Sequence, residues 1–202
     1  MIEPFPDDTF PGAETEPFWF LGGRARILIP GDSTKGALSV MEFLDTAGHA
    51  PPRHIHQDED EVWIVLDGEV SFFVADQRLD LHAGQIAHGP RGVPHSYLVR
   101  SETARLAVAF TPSRVEEWFS DNGTPATRLD QTPAAVDIEK ILASAEAFHV
   151  SVAGPPPTAD RRPSTVDRRP STAGTVPQPG SCPRERRRPV VCALKVCDLP
   201  RD

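Results

Sequence analysis

The sequence predicts an all-β chain, a small antiparallel barrel of the jelly-roll kind followed by one or two helices, on three observations. Short apolar stretches recur between residues 24 and 110, each bounded by turn residues. Several of them alternate with the period of two that a strand face needs. Only after Thr111 does the apolar spacing become helical.

Taken in order, residues 1–17 are rich in Pro, Asp and Glu and read as an extended arm. Phe18-Trp19-Phe20-Leu21 then forms an apolar cluster that has to be buried, because aromatic side chains carry large areas. The barrel, a partner subunit and a ligand at the mouth of a cavity are its candidate covers, with core packing expected. Strands are predicted at 24–29, 37–44, 53–56, 61–66, 70–75, 78–81, 86–88, 95–100 and 104–110. Turns at Pro30-Gly31-Asp32, Asp67-Gly68, Ala75-Asp76-Gln77 and Ala83-Gly84 separate several of them.

Within 61–66, Glu61, Trp63 and Val65 share one face and Val62, Ile64 and Leu66 the other. Both faces are apolar, so both need cover. A second copy of the chain, giving a homodimer, is the expected cover for the outer one. A short helix is predicted over 114–123, with Ser113 as N-cap, Glu116 and Glu117 in its first turn and Asn122-Gly123 as its stop. A second helix over 137–148 gathers Ile138, Ile141, Leu142 and Ala145 on one face, which places it on the outside of the barrel. An extended stretch at 150–157 closes the fold, so that residues 18–157 form the domain.

The formal charge of −8 is unevenly spread over the 202 residues. Residues 158–202 hold ten Lys or Arg and five Asp or Glu, a net of +5, which leaves −13 on the rest. An acidic body with a basic tail does not suit a nucleic-acid-binding domain. The tail repeats itself at 160–165 and 167–172 and carries seven prolines, so it is expected to be disordered. Cys182, Cys192 and Cys197 all lie in it, so the core has no cysteine nucleophile and no disulfide framework. With no apolar run of about 20 residues and no signal-like N-terminus, no membrane association is expected and the protein is read as cytoplasmic.

The chemistry concentrates in two blocks. Gly48 to Gly68 contains His54 and His56, which point to the same face of an extended segment because strand side chains alternate, with Glu61 five residues on. Gly84 to Tyr97 ends in His95 after a turn built from Pro90, Gly92 and Pro94. These blocks resemble the paired motifs of the cupin family. Gly48, His54, His56, Glu61 and Gly68 fill the fixed positions of the first motif, and Gly84, Pro90, Gly92 and His95 match the second. Val99 stands where the family often has Asn. The resemblance implies a cupin-type antiparallel jelly-roll barrel with a metal held by His54, His56, Glu61 and His95. Asp60 competes with Glu61, because the family spacing tolerates a slip of one residue.

Three imidazoles and a carboxylate suit one divalent transition metal, Fe, Mn, Ni, Co or Cu, with Zn also admissible. Four protein ligands leave a position open on a five- or six-coordinate ion, the mark of a catalytic rather than a structural site. Trp63, Tyr97 and Phe72 are candidates for either the wall of a substrate pocket or the core, with Val65 beside them as a wall, whereas His49, His82 and His149 carry no spacing argument and His88 only a weak one. Within the family the chain is similar to bacterial quercetin 2,3-dioxygenase-like proteins, on Phe18 to Gly22, Pro51 to His56, Pro90 to His95 and Val152 to Pro156. That likeness implies cleavage of a flavonol or similar enolisable aromatic compound by O2, with Glu61 as ligand and general base. A non-redox isomerase or lyase and a non-enzymatic small-molecule-binding barrel remain the alternatives.

Overall fold

The computed structural model describes residues 16–126, 136–158 and 194–195. Thirteen strands, β1 Phe18–Phe20, β2 Gly23–Ile29, β3 Ser39–Thr46, β4 Arg53–His56, β5 Asp60–Asp67, β6 Glu69–Val74, β7 Gln77–His82, β8 Gln85–Gly89, β9 His95–Val99, β10 Thr103–Thr111, β11 Thr124–Pro125, β12 Val150–Gly154 and β13 Leu194–Lys195, are present among these residues. Two short helices, α1 Val115–Asn122 and α2 Ile138–Ala145, follow the main run of strands. The strands form two antiparallel sheets in the orders β11-β1-β2-β3-β10-β5-β8-β13 and β12-β4-β9-β6-β7. This is the jelly roll that the turn spacing predicts.

The alternation that defines the strands also decides what fills the barrel. Met41 and Phe43 on β3, Trp63 and Val65 on β5, and Leu106 and Val108 on β10 point inward and are buried. Each such side chain contributes roughly 1.5–3 kcal/mol by leaving water. On the other face of β5, Val62, Ile64 and Leu66 are only half-buried. At one place the packing depends on a missing side chain. A Cβ on Gly89 would stand 2.5 Å from Trp63 Cη2 and 3.2 Å from His95 Nδ1, so the indole edge can approach β8 this closely only because residue 89 is glycine.

Several expectations are adjusted. The third strand starts at Ser39 rather than residue 37, because residues 31–34 form a 3-10 turn and the Leu38 N–H donates to Thr34 Oγ1. Ser113 does not cap α1. The residue before the helix is Arg114, and the buried Glu116 carboxylate accepts from the N–H groups of Gly31 at 2.9 Å and Arg114 at 2.7 Å. A carboxylate reaching back satisfies the free N–H groups in place of the hydroxyl. Asp137 caps α2 through Lys140 N at 2.9 Å.

The N-terminal arm, apart from Glu16 and Pro17, lies outside the described residues, and so do the repeats and cysteines of the tail. Of the tail beyond Thr158 only Leu194 and Lys195 are described, and they pair with Ile86 and Gln85 of β8. No helix among the described residues is long and apolar enough to cross a membrane.

Candidate metal centre

β4 and β9 run antiparallel with His54 directly opposite His95. Alternation brings His56 to the same side as His54, and β5 enters from the facing sheet with Glu61. One ligand atom from each of His54, His56, Glu61 and His95 lies within 4.8 Å of the others. Glu61 Oε2 is 3.1 Å from His95 Nε2 and 3.4 Å from His56 Nε2.

The orientation of two rings is fixed from behind. His54 Nδ1 lies 2.8 Å from the Pro52 carbonyl oxygen and His95 Nδ1 2.9 Å from that of Val93. Donating Nδ1–H to a carbonyl places the lone pair on Nε2, where a cation would be held. His56 Nδ1 faces the buried Glu59 carboxylate at 3.9 Å. Burial, with His54 and His95 nearby, holds the His56 imidazole well below the usual range. For His54 burial is again the largest cause, followed by His95, and the value falls to about 4. Both rings are therefore neutral at neutral pH, the form a metal requires.

The residues fit a metal on a further observation. His56 Nε2, His95 Nε2 and Glu61 Oε2 are buried and make no hydrogen bond. Leaving such atoms unsatisfied costs roughly 1–3 kcal/mol each. A divalent cation between them would satisfy all three at once.

Residues 41–110 match the model of the Cupin domain family. Within the barrel these residues form a cupin domain. Bacillus subtilis quercetin 2,3-dioxygenase is 31% identical to the cupin over 118 residues, which are 57% of this chain and 35% of that protein. The match thus spans about a third of that relative's length. Among solved structures, KdgF from a Halomonas species is similar with a TM-score of 0.47 and 16% identity, over 54% of this chain and 96% of the other. An oxalate decarboxylase of Bacillus subtilis is similar with a TM-score of 0.46 and 22% identity, over 52% of this chain and 29% of the other.

Beside the cluster lies a cavity of about 260 Å³, reached by His54, Glu61, Trp63 and Tyr97. Phe20, Leu21 and Phe119 form much of its apolar wall, so the N-terminal aromatic cluster supplies both core and cavity. Phe72 does not line it. That ring is fully buried behind Trp63 and Tyr97, at centroid distances of 5.1 and 6.0 Å, so its place is the core. Val65 is likewise core.

Asp60 points away from the histidines and binds Arg91, accepting from its backbone N–H and from Nη2, each at 2.9 Å. It sits one residue before Glu61 on the same strand, hence on the opposite face. His88 lies on the outer side, 4.0 Å from Asp60. The second helix is not simply external, because Ile141, Leu142 and Ala145 of α2 close one side of the cavity. Two polar residues escaped the sequence argument, His49 in the cavity wall and Asp45 behind it. The available signal for Asp45 was its place two residues after Phe43 in an inward-facing series.

Proposed function

We propose that the cupin is a metal-dependent dioxygenase that cleaves a flavonol or a similar enolisable aromatic compound. The observation that carries this reading is the position of His54, His56, Glu61 and His95 at one end of a cavity whose remaining walls are mainly aromatic and aliphatic. A pocket of that kind suits a planar apolar ligand fixed by few polar groups. The likeness to quercetin 2,3-dioxygenase supports the substrate class.

In this reading His54, His56, Glu61 and His95 hold one divalent transition metal, which supplies a Lewis-acidic, redox-capable centre that acidifies a substrate hydroxyl. Glu61 faces the cavity as well as the histidines, so its carboxylate can take the proton of that hydroxyl and hold it. Trp63 and Phe119 orient the ring system and exclude water. The functional unit comprises residues 18–157. It acts as a homodimer, supported by the half-buried apolar outer face of β5, Val62, Ile64 and Leu66, and light scattering is expected to give twice the chain mass.

The test is metal analysis followed by oxygen uptake. One ion per chain and oxygen consumption with quercetin are expected. Bound metal without uptake on any flavonol would overturn the substrate class, and turnover under nitrogen would instead establish the isomerase or lyase alternative.

A further inference from the structure

A second group of polar side chains meets the same cavity, and it is costly for a barrel interior. Met41, Phe43 and Asp45 alternate onto the inward face of β3, and the third is a carboxylate only 1% exposed. Burying a carboxylate among apolar side chains is unfavourable unless its oxygens are satisfied. The Tyr97 hydroxyl donates to Oδ2 at 2.8 Å, but the buried Oδ1 accepts no hydrogen bond. His49 Nε2 stands 3.6 Å from Oδ1, a distance that is electrostatic contact rather than a hydrogen bond. Gly23 on β2 leaves the space for this pair, since a Cβ there would collide with Oδ1 and come within 3.3 Å of His49 Cε1.

His49 is held by its backbone and accessible at its ring. Its carbonyl accepts from Val99 N at 3.0 Å, which fixes it beside Tyr97 on β9. The ring centroids of His49 and Tyr97 are 6.0 Å apart, and both side chains line the cavity. No described residue makes a hydrogen bond to the His49 ring. A carboxylate facing Nε2 favours the tautomer protonated there and leaves Nδ1 as an acceptor. An imidazole oriented by a buried carboxylate, itself held by a phenol, is an arrangement for receiving a hydroxyl.

We propose that His49 is a specificity-determining residue of this cavity, accepting a hydrogen bond from a hydroxyl of a planar aromatic ligand, with Asp45 as its positioning residue. The inference rests on the cavity being the substrate site. It assigns the ligand a second polar contact apart from the four-residue cluster, in a wall formed largely by apolar side chains such as Phe20, Phe43, Trp118 and Ile141. A site that hydrogen-bonds a hydroxyl rejects the analogue lacking it, because its own polar atoms are then left unpaired.

The experiment measures ligand binding under nitrogen by quenching of tryptophan fluorescence, with quercetin and with flavone, the same ring system without hydroxyls. Metal content is assayed in every variant. His49→Ala is expected to weaken quercetin about 10-fold while leaving flavone within about twofold, at unchanged metal content. Asp45→Asn should reproduce a smaller loss with the same selectivity, and His49→Gln, which keeps an acceptor, should recover part of the quercetin affinity. Equal weakening of both ligands, or no weakening of quercetin, would overturn the role of His49 and leave the proposed function standing. Failure of the wild-type protein to bind either ligand would overturn the proposed substrate class, and this inference with it.

Discussion

His54 and His95 face each other across the β4–β9 pair with ring centroids 4.6 Å apart, although 41 residues separate them in the chain. Their edge-to-face contact, at an interplanar angle of 77°, turns both Nε2 atoms toward one point while carbonyl oxygens hold both Nδ1 atoms. The pair therefore depends on strand register. A slip of one residue would send one imidazole to the opposite face.

Substituting either imidazole of β4 tests the metal assignment directly. His54→Ala and His56→Ala each remove a proposed ligand, and both variants are expected to retain less than about a tenth of the wild-type metal after dialysis, in keeping with the 10–100-fold losses that even indirect ligand contacts cause. Loss of a ligand that binds only the folded state also lowers the melting temperature. Elemental analysis and a thermal melt check both. Unchanged metal content in both variants would refute the site.

Asp45 gives a pH prediction with a definite sign. Burial raises its carboxyl above the ordinary range, outweighing the opposing pull of His49 and of the Tyr97 hydroxyl. The folded chain then holds this proton more tightly than the unfolded chain does. Its contribution to stability is full below the unfolded value of about 4 and is lost as pH rises through the raised folded value. Asp45→Asn removes the titration and preserves an acceptor for Tyr97. At neutral pH the variant is expected to be more stable in urea by on the order of 1 kcal/mol, with the advantage shrinking toward pH of about 4. A variant less stable at both ends would show that ionised Asp45 is a net stabiliser.

Gly89→Ala introduces a methyl group where Trp63 already lies against β8. The indole is fully buried, so the added methyl group has to displace either the ring or the strand. Overpacking of this kind costs about 1–3 kcal/mol. Because the same Cβ would approach His95, metal affinity should fall together with the denaturation midpoint. An unchanged midpoint would show that the tight packing of Trp63 on β8 does not contribute to stability.

Removing residues 158–202 is expected to leave metal content and oxygen uptake intact, since the four proposed ligands and the described residues of the cavity wall all precede that segment. The strand formed by Leu194 and Lys195 pairs with Ile86 and Gln85 of β8. Its loss should change stability by no more than about 0.5 kcal/mol. Loss of both metal and activity would assign the tail a role in the barrel.

The sequence alone determined the barrel class and brought out the three histidines of the cluster, for a local reason. Period-two alternation reports which side chains share a strand face, so His54 with His56 and His95 with Tyr97 could be paired off before any fold was known. The motif glycines and prolines marked where the strands turn. The choice of Glu61 over Asp60 followed only from the tertiary structure, in which Arg91, distant in sequence, captures the Asp60 carboxylate. The same holds for Phe72 in the core, for α2 as a wall of the cavity, and for the Asp45–His49 contact. Each depends on which elements of the two sheets come face to face, and periodicity along a single strand carries no information about that.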